Sequence, residues 1–280
     1  MMYEQSDKLL YRRKRKPSYT VSAILASILL SVFLFPCQAI AKETYPPHLI
    51  QTVSDRDIYE GMLALELLKC PVLPEKNCEE AFEIVKNCVV RIQMGNAYGS
   101  GVIWEMTPEN IVIATNKHVL EYWDEKVSYV HFPQGYFAQA EIFGVSSQYD
   151  VGFLKISNDE FTYRELEGLR YVCSDISAYE NLQEGDAVFY VGAQEGETEG
   201  FFLGSIGDTK RYIEEFDEDM LYGYGYARAG MSGGGTFDAR GNFIGMISGG
   251  TADSETASVP LGAILEAYEE IGKELSYEAD

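Results

Sequence analysis

Ala229-Gly230-Met231-Ser232-Gly233-Gly234-Gly235, running on into Thr236-Phe237-Asp238, sets one serine among four glycines. Glycine accepts positive φ and leaves no side chain in the way, so the backbone here can turn sharply and come close to another molecule. Such a serine is either the tip of a glycine-rich hairpin or a nucleophile. In the second case the amides of Gly230 and Ser232 point at one oxygen and form an oxyanion hole.

Working outward from Ser232, a nucleophilic hydroxyl needs a base to take its proton, and the base needs a carboxylate to orient it. The chain has three histidines. His48 follows Tyr45-Pro46-Pro47 and reads as a linker residue; His131, between Val130 and Phe132, reads as a strand-face residue. His118 is different. It closes Ile111-Val112-Ile113-Ala114-Thr115-Asn116-Lys117-His118-Val119, an apolar strand that ends in a polar turn. Downstream, Tyr149-Asp150-Val151-Gly152-Phe153-Leu154-Lys155-Ile156 puts a carboxylate just ahead of another apolar strand. The order His118, Asp150, Ser232 supplies base, orienter and nucleophile.

These three stretches resemble the catalytic boxes of trypsin-fold serine proteases, most closely the bacterial HtrA/Deg-like branch. Gly99-Ser100-Gly101-Val102 and Gly185-Asp186-Ala187-Val188-Phe189-Tyr190-Val191-Gly192 fit the same pattern, so the resemblance runs over about residues 86–270. It implies an all-β fold of two six-stranded antiparallel barrels with a C-terminal helix, and a catalytic triad of His118, Asp150 and Ser232. It also implies that Ser248-Gly249-Gly250 is the edge whose backbone pairs with an extended polypeptide substrate. Tyr226 falls at the base of the primary specificity pocket. An aspartate there selects lysine or arginine, so a small or apolar preference is expected; Arg228 nearby would instead suit an acidic one. Met231 stands where secreted animal-type zymogens carry an aspartate, so activation through a freed N-terminus is not expected. No PDZ-sized region is expected after the helix over Leu261–Leu275, a departure from the full HtrA pattern.

The strand pattern agrees. Short apolar runs broken by Gly, Pro and Asn indicate a sandwich or barrel. They fall at residues 88–94, 101–105, 110–115, 127–132, 138–144 and 152–156, then at 187–192, 201–207, 221–226, 234–237, 243–248 and 257–260. These place a first barrel over about 86–157 and a second over about 182–260, with a helix over 261–275. Helical spacing also marks residues 54–69, with Ser54 as N-cap, and a short stretch after Cys78. This helical lead-in, within a 42–85 segment, reads as a pro-segment, a spacer or a packed extension. The acidic insert Glu214-Glu215-Phe216-Asp217-Glu218-Asp219 lacks the spacing of a calcium loop and reads as solvated.

The composition narrows the partners. A net charge of −22 argues against nucleic-acid binding, which needs basic stripes, and favours encounter with cationic partners. Basic charge gathers at Arg12-Arg13-Lys14-Arg15-Lys16, ahead of an apolar run from Val21 to Phe35 and the small residues Ala39-Ile40-Ala41. Residues 1–41 therefore read as a secretory signal peptide cleaved after Ala41, or as a single uncleaved membrane anchor, with the catalytic part secreted or facing outward from a bacterial cell membrane. Four cysteines follow Cys37. Spacing favours a Cys70–Cys78 disulfide, with Cys88–Cys173 by elimination; the alternative is four buried thiols. No cofactor or metal is expected. The reading is an exported serine endopeptidase, with a non-catalytic trypsin-fold binding module or an esterase as alternatives.

Overall fold

A computed structural model describes residues 53–278, apart from Glu195 and Gly196. Residues 1–41, read above as a signal peptide or anchor, and His48 lie outside the described residues. The chain enters through helices α1 (Asp55–Ala64) and α2 (Cys78–Val85) and then becomes almost entirely strand. Ser54 caps α1 in a reciprocal capping box with Asp57.

The first half contributes β1 (Val89–Met94), β2 (Ala97–Met106), β3 (Asn110–Thr115), β4 (Ser128–His131), β5 (Phe137–Ala138), β6 (Glu141–Val145) and β7 (Gly152–Ser157). These form one antiparallel sheet in the order β5-β4-β1-β2-β3-β7-β6. The expected strand over 138–144 breaks at Gln139-Ala140. Its first piece pairs with β4 and its second with β7, so one apolar run supplies both edges. The sheet thus has seven strands and stays open along its backbone bonds where a closed six-stranded barrel was expected. Two short helices, α4 (Tyr163–Gly168) and α5 (Ile176–Glu180), occupy the connector, after the single-turn helix α3 (Lys117–Leu120) that follows β3.

The second half is a closed six-stranded barrel. It comprises β8 (Ala187–Gln194), β9 (Glu197–Ile213), β10 (Glu218–Gly225), β11 (Gly235–Asp238), β12 (Phe243–Gly250) and β13 (Glu255–Pro260), followed by α6 (Leu261–Glu278). The β9–β10 hairpin runs further than the sequence pattern suggests. Most of the acidic insert is its tip, and Glu218 and Asp219 already belong to β10.

Alternation along the strands divides the apolar side chains between cores. Val90 and Ile92 point into the first sheet's interior with Ile103, Ile113 and Leu154. Val89, Trp104 and Phe153 face the other way and meet Phe189, Phe237 and Phe243 of the barrel, and Ile264 and Ile271 of α6. The lead-in belongs to this packing. Tyr59 and Leu68 are fully buried in the first sheet's core, and Ala81 and Val85 in the shared one.

All four described cysteines are free thiols, which corrects both expected disulfides. The residues after Cys70 do not loop straight back. Leu73 and Asn77 donate their amides to the carbonyls of Arg240 and Ala239, holding the segment along the second barrel. Cys70 ends up beside the Cys88 thiol, and Cys78 near Asp238. Burial pushes the Cys78, Cys88 and Cys173 thiols above their ordinary pKa.

Candidate active site

His118 sits in the first turn of α3, where helical amides have no carbonyl one turn back to bond. Its amide donates instead to Asp150 Oδ1 at 3.0 Å, and its Nδ1 lies 2.8 Å from Asp150 Oδ2. One carboxylate therefore grips both the backbone and the ring of the same residue, fixing the imidazole's orientation. Asp150 lies in the loop between β6 and β7 with its side chain 16% exposed. Burial opposes its ionisation, but hydrogen bonds from His118 and Ser248 outweigh this and hold the pKa below the ordinary carboxylate value.

Ser248 reaches that carboxylate from the other half of the molecule. The β12–β13 register slips between Ile247 and Gly249, and such a bulge re-aims the side chain at the irregularity. The Ser248 hydroxyl donates to Asp150 Oδ2 at 2.5 Å. Asn116, at the end of β3, donates to both the Ser248 hydroxyl and the Asp150 carbonyl, at 3.0 and 3.1 Å.

Ser232 stands in the turn between β10 and β11. Gly230 and Gly233 adopt φ values of 93° and 88°. At Gly233 a Cβ would lie 2.0 Å from the Ser100 carbonyl oxygen and 2.4 Å from Thr115 Oγ1, so no other residue fits. Ser100 clamps the turn across the two halves: its amide donates to the Ser232 carbonyl at 2.8 Å and its hydroxyl to the Gly230 carbonyl at 2.7 Å. Among the described residues, neither the Gly230 amide nor the Ser232 amide has an acceptor. The Ser232 hydroxyl points to the Ser248 carbonyl at 3.3 Å and makes no hydrogen bond to the imidazole. Side chains in unliganded sites often sit so and tighten only around substrate.

The remaining expected positions fall nearby. Gly249 and Gly250 end β12 beside a cavity of about 480 Å³, whose far wall is Arg211–Phe216 and Tyr222. Phe216 backs Gly249, its ring 3.0 Å from where a Cβ would stand. Tyr226 is half-buried and packs its ring on Phe202; Arg228 lies exposed over both rings. Ala227 fills the space beside Gly250. His131 is remote from this cluster, at the end of β4 against Phe137, its pKa lowered by burial and by Arg91.

Ser100 and Asn116 carry no role that the sequence pattern assigns, and Glu218 falls in a stretch that reads as solvated. A serine between two glycines opposite the Ser232 turn was a usable signal for Ser100. Glu218 had none, because its partner, Asp150, is brought to it only by the fold.

A histidine gripped by a carboxylate, and a serine linked to that carboxylate through Ser248, stand at the seam of two β units, the arrangement expected of a trypsin-fold hydrolase. A family model described as "Trypsin-like peptidase domain" matches residues 99–246, more than half of the chain. The chain belongs to this family. No curated protein sequence matches it significantly. Among solved structures, the HtrA-type protease AlgW with tripeptide is similar at a TM-score of 0.60 and 21% identity, covering 70% of this chain and 63% of that one. Rv3671c from M. tuberculosis H37Rv, as an inactive mutant, is similar at 0.56 and 16%, covering 73% and 96%. These likenesses are of fold. The chain spans less than two thirds of the AlgW structure.

Proposed function

We propose that this chain is an exported serine endopeptidase acting through an acyl-enzyme. The observation that carries the reading is Asp150's double hold on His118, linked through Ser248 to a serine turn whose two amides are unpaired. An extended peptide pairs with Ser248–Gly250 as an added strand. Its carbonyl oxygen enters the space in front of the Gly230 and Ser232 amides. Ser232 turns about χ1 from the Ser248 carbonyl to His118 Nε2 and attacks. His118 takes the proton and returns it to the leaving amine, while Asp150 holds the Nδ1–H tautomer and stabilises the imidazolium. The two amides stabilise the oxyanion, each donor of this kind contributing about 3 kcal/mol. Water then repeats the steps to release the acid.

Export rests on residues 1–41, and a mature N-terminus at Lys42 or an intact Met1 distinguishes cleavage from anchoring. A binding module without turnover has no use for a buried carboxylate fixing a ring beside a serine. The decisive experiment is labelling with a fluorophosphonate together with casein cleavage. Wild type is expected to do both and Ser232→Ala neither; undiminished cleavage by the variant removes the assignment.

A further inference from the structure

Asp150 is held at three places, and only two of them belong to the groups already described. Its carboxylate is bound by His118 and Ser248, and its carbonyl by Asn116. Its own amide donates to Glu218 Oε1 at 3.1 Å. Glu218 is the first residue of β10, paired with Ile213 across the hairpin tip. The preceding residue, Asp217, has φ 53°, and this left-handed step closes the turn. Glu218 thus crosses from the barrel to the loop of the first sheet that carries Asp150. Its second oxygen, Oε2, is buried without a partner.

A half-buried carboxylate with an unmatched oxygen is costly, and its remaining hydrogen bond offsets part of that cost. That contact is with the amide of the residue that orients His118. Burial raises the Glu218 pKa, the Asp150 amide opposes this, the Asp150 and Asp217 charges add to it, and Lys117 pulls the other way. The hydrogen bond is therefore kept in surroundings that disfavour the charge. Two residues before it, Phe216 backs Gly249 at the substrate edge. The same short hairpin tip supports both the edge and the orienting carboxylate.

We propose that Glu218 is a positioning residue for peptide hydrolysis: by accepting the Asp150 amide it fixes the main chain on which the Asp150–His118 pair is mounted. It does not touch substrate. The inference rests on the peptidase reading and adds an acceptor outside the three boxes. A displacement of the catalytic base by a fraction of an ångström lowers turnover without weakening binding.

The test compares Glu218→Ala, Glu218→Asp and Glu218→Gln with wild type, each checked for folding by its unfolding midpoint and for active sites by fluorophosphonate titration. Gln keeps the reach and the acceptor; Asp keeps the charge but is one methylene short. Ala and Asp are expected to lose on the order of 10-fold in kcat with KM within about 2-fold, and Gln to retain kcat within about 2-fold. Equal kcat in all folded variants overturns the proposal. So does a series in which Asp retains activity and Gln loses it, since charge rather than the amide contact would then matter. If Ala fails to fold, the Gln–Asp contrast decides. A wild type inert to fluorophosphonate overturns the peptidase reading, and this proposal with it; a reactive wild type with uninformative contrasts removes Glu218 alone.

Discussion

At the scale of single residues, the site is a set of hydrogen bonds whose donors and acceptors leave few alternatives. Asp150 accepts from His118 twice and from Ser248 once, so its ionised form is the one the fold stabilises. Its pKa is depressed in the native state relative to about 3.9 unfolded. For a carboxylate with that sign, the stabilising contribution is present above the unfolded pKa and disappears as pH falls through the lower, folded value. Urea-unfolding midpoints of wild type should therefore drop more steeply than those of Asp150→Asn as pH is lowered below about 4, the unfolded carboxylate's own range. Parallel curves would mean that the carboxylate gains nothing from its partners.

At the scale of elements, the lead-in is the informative case. Its helical start was legible, since Ser54 caps as expected. The helix ends at Ala64, however, short of the expected residue 69, and it buries Tyr59 while Ile58 and Leu65 lie exposed. Its role was not legible, because an amphipathic helix can cover a core, await removal or serve as a spacer. In the structure Tyr59 is fully buried, meets the Tyr163 ring at a tilt and donates its hydroxyl to the Thr107 carbonyl at 2.9 Å. Asn158 donates to the same carbonyl. Tyr59→Ala should cost about 3–5 kcal/mol by urea denaturation, the range for emptying a buried aromatic site. A loss below 1 kcal/mol would return the lead-in to the status of a spacer. The same scale explains the open first sheet. The apolar run over 138–144 was visible, but its division between two edges depends on where Gln139-Ala140 turns, which no periodicity encodes.

At the scale of the whole molecule, charge and the seam between the two β units matter most. The chain carries a net charge of −22, and the proposed site would take up an extended peptide on a backbone edge. A negative field draws cationic ligands inward and repels anionic ones, and salt screens both effects. Hydrolysis of a Lys/Arg-flanked peptide should therefore slow as ionic strength rises, and that of an Asp/Glu-flanked analogue should quicken, measured as kcat/KM. Salt responses of the same sign for both would place the effect in the protein's stability rather than in encounter. The seam itself is joined by a shared apolar core and by hydrogen bonds. Ser100, Asn116 and Glu218 each make a hydrogen bond across it, so the active site and the packing of the two units depend on one another.

The chain by itself determined the two β units, the closing helix and the order His118, Asp150, Ser232, because strand alternation and glycine turns are local and leave their mark on neighbouring residues. Only the tertiary structure decided that Cys70 sits beside Cys88 instead of Cys78, that the lead-in is core, and that Glu218 reaches the Asp150 amide. Those outcomes join residues far apart along the chain through the path of a hairpin or a tethered segment. Such a path is set by the packing of the complete fold, which a stretch of ten or twenty residues does not contain.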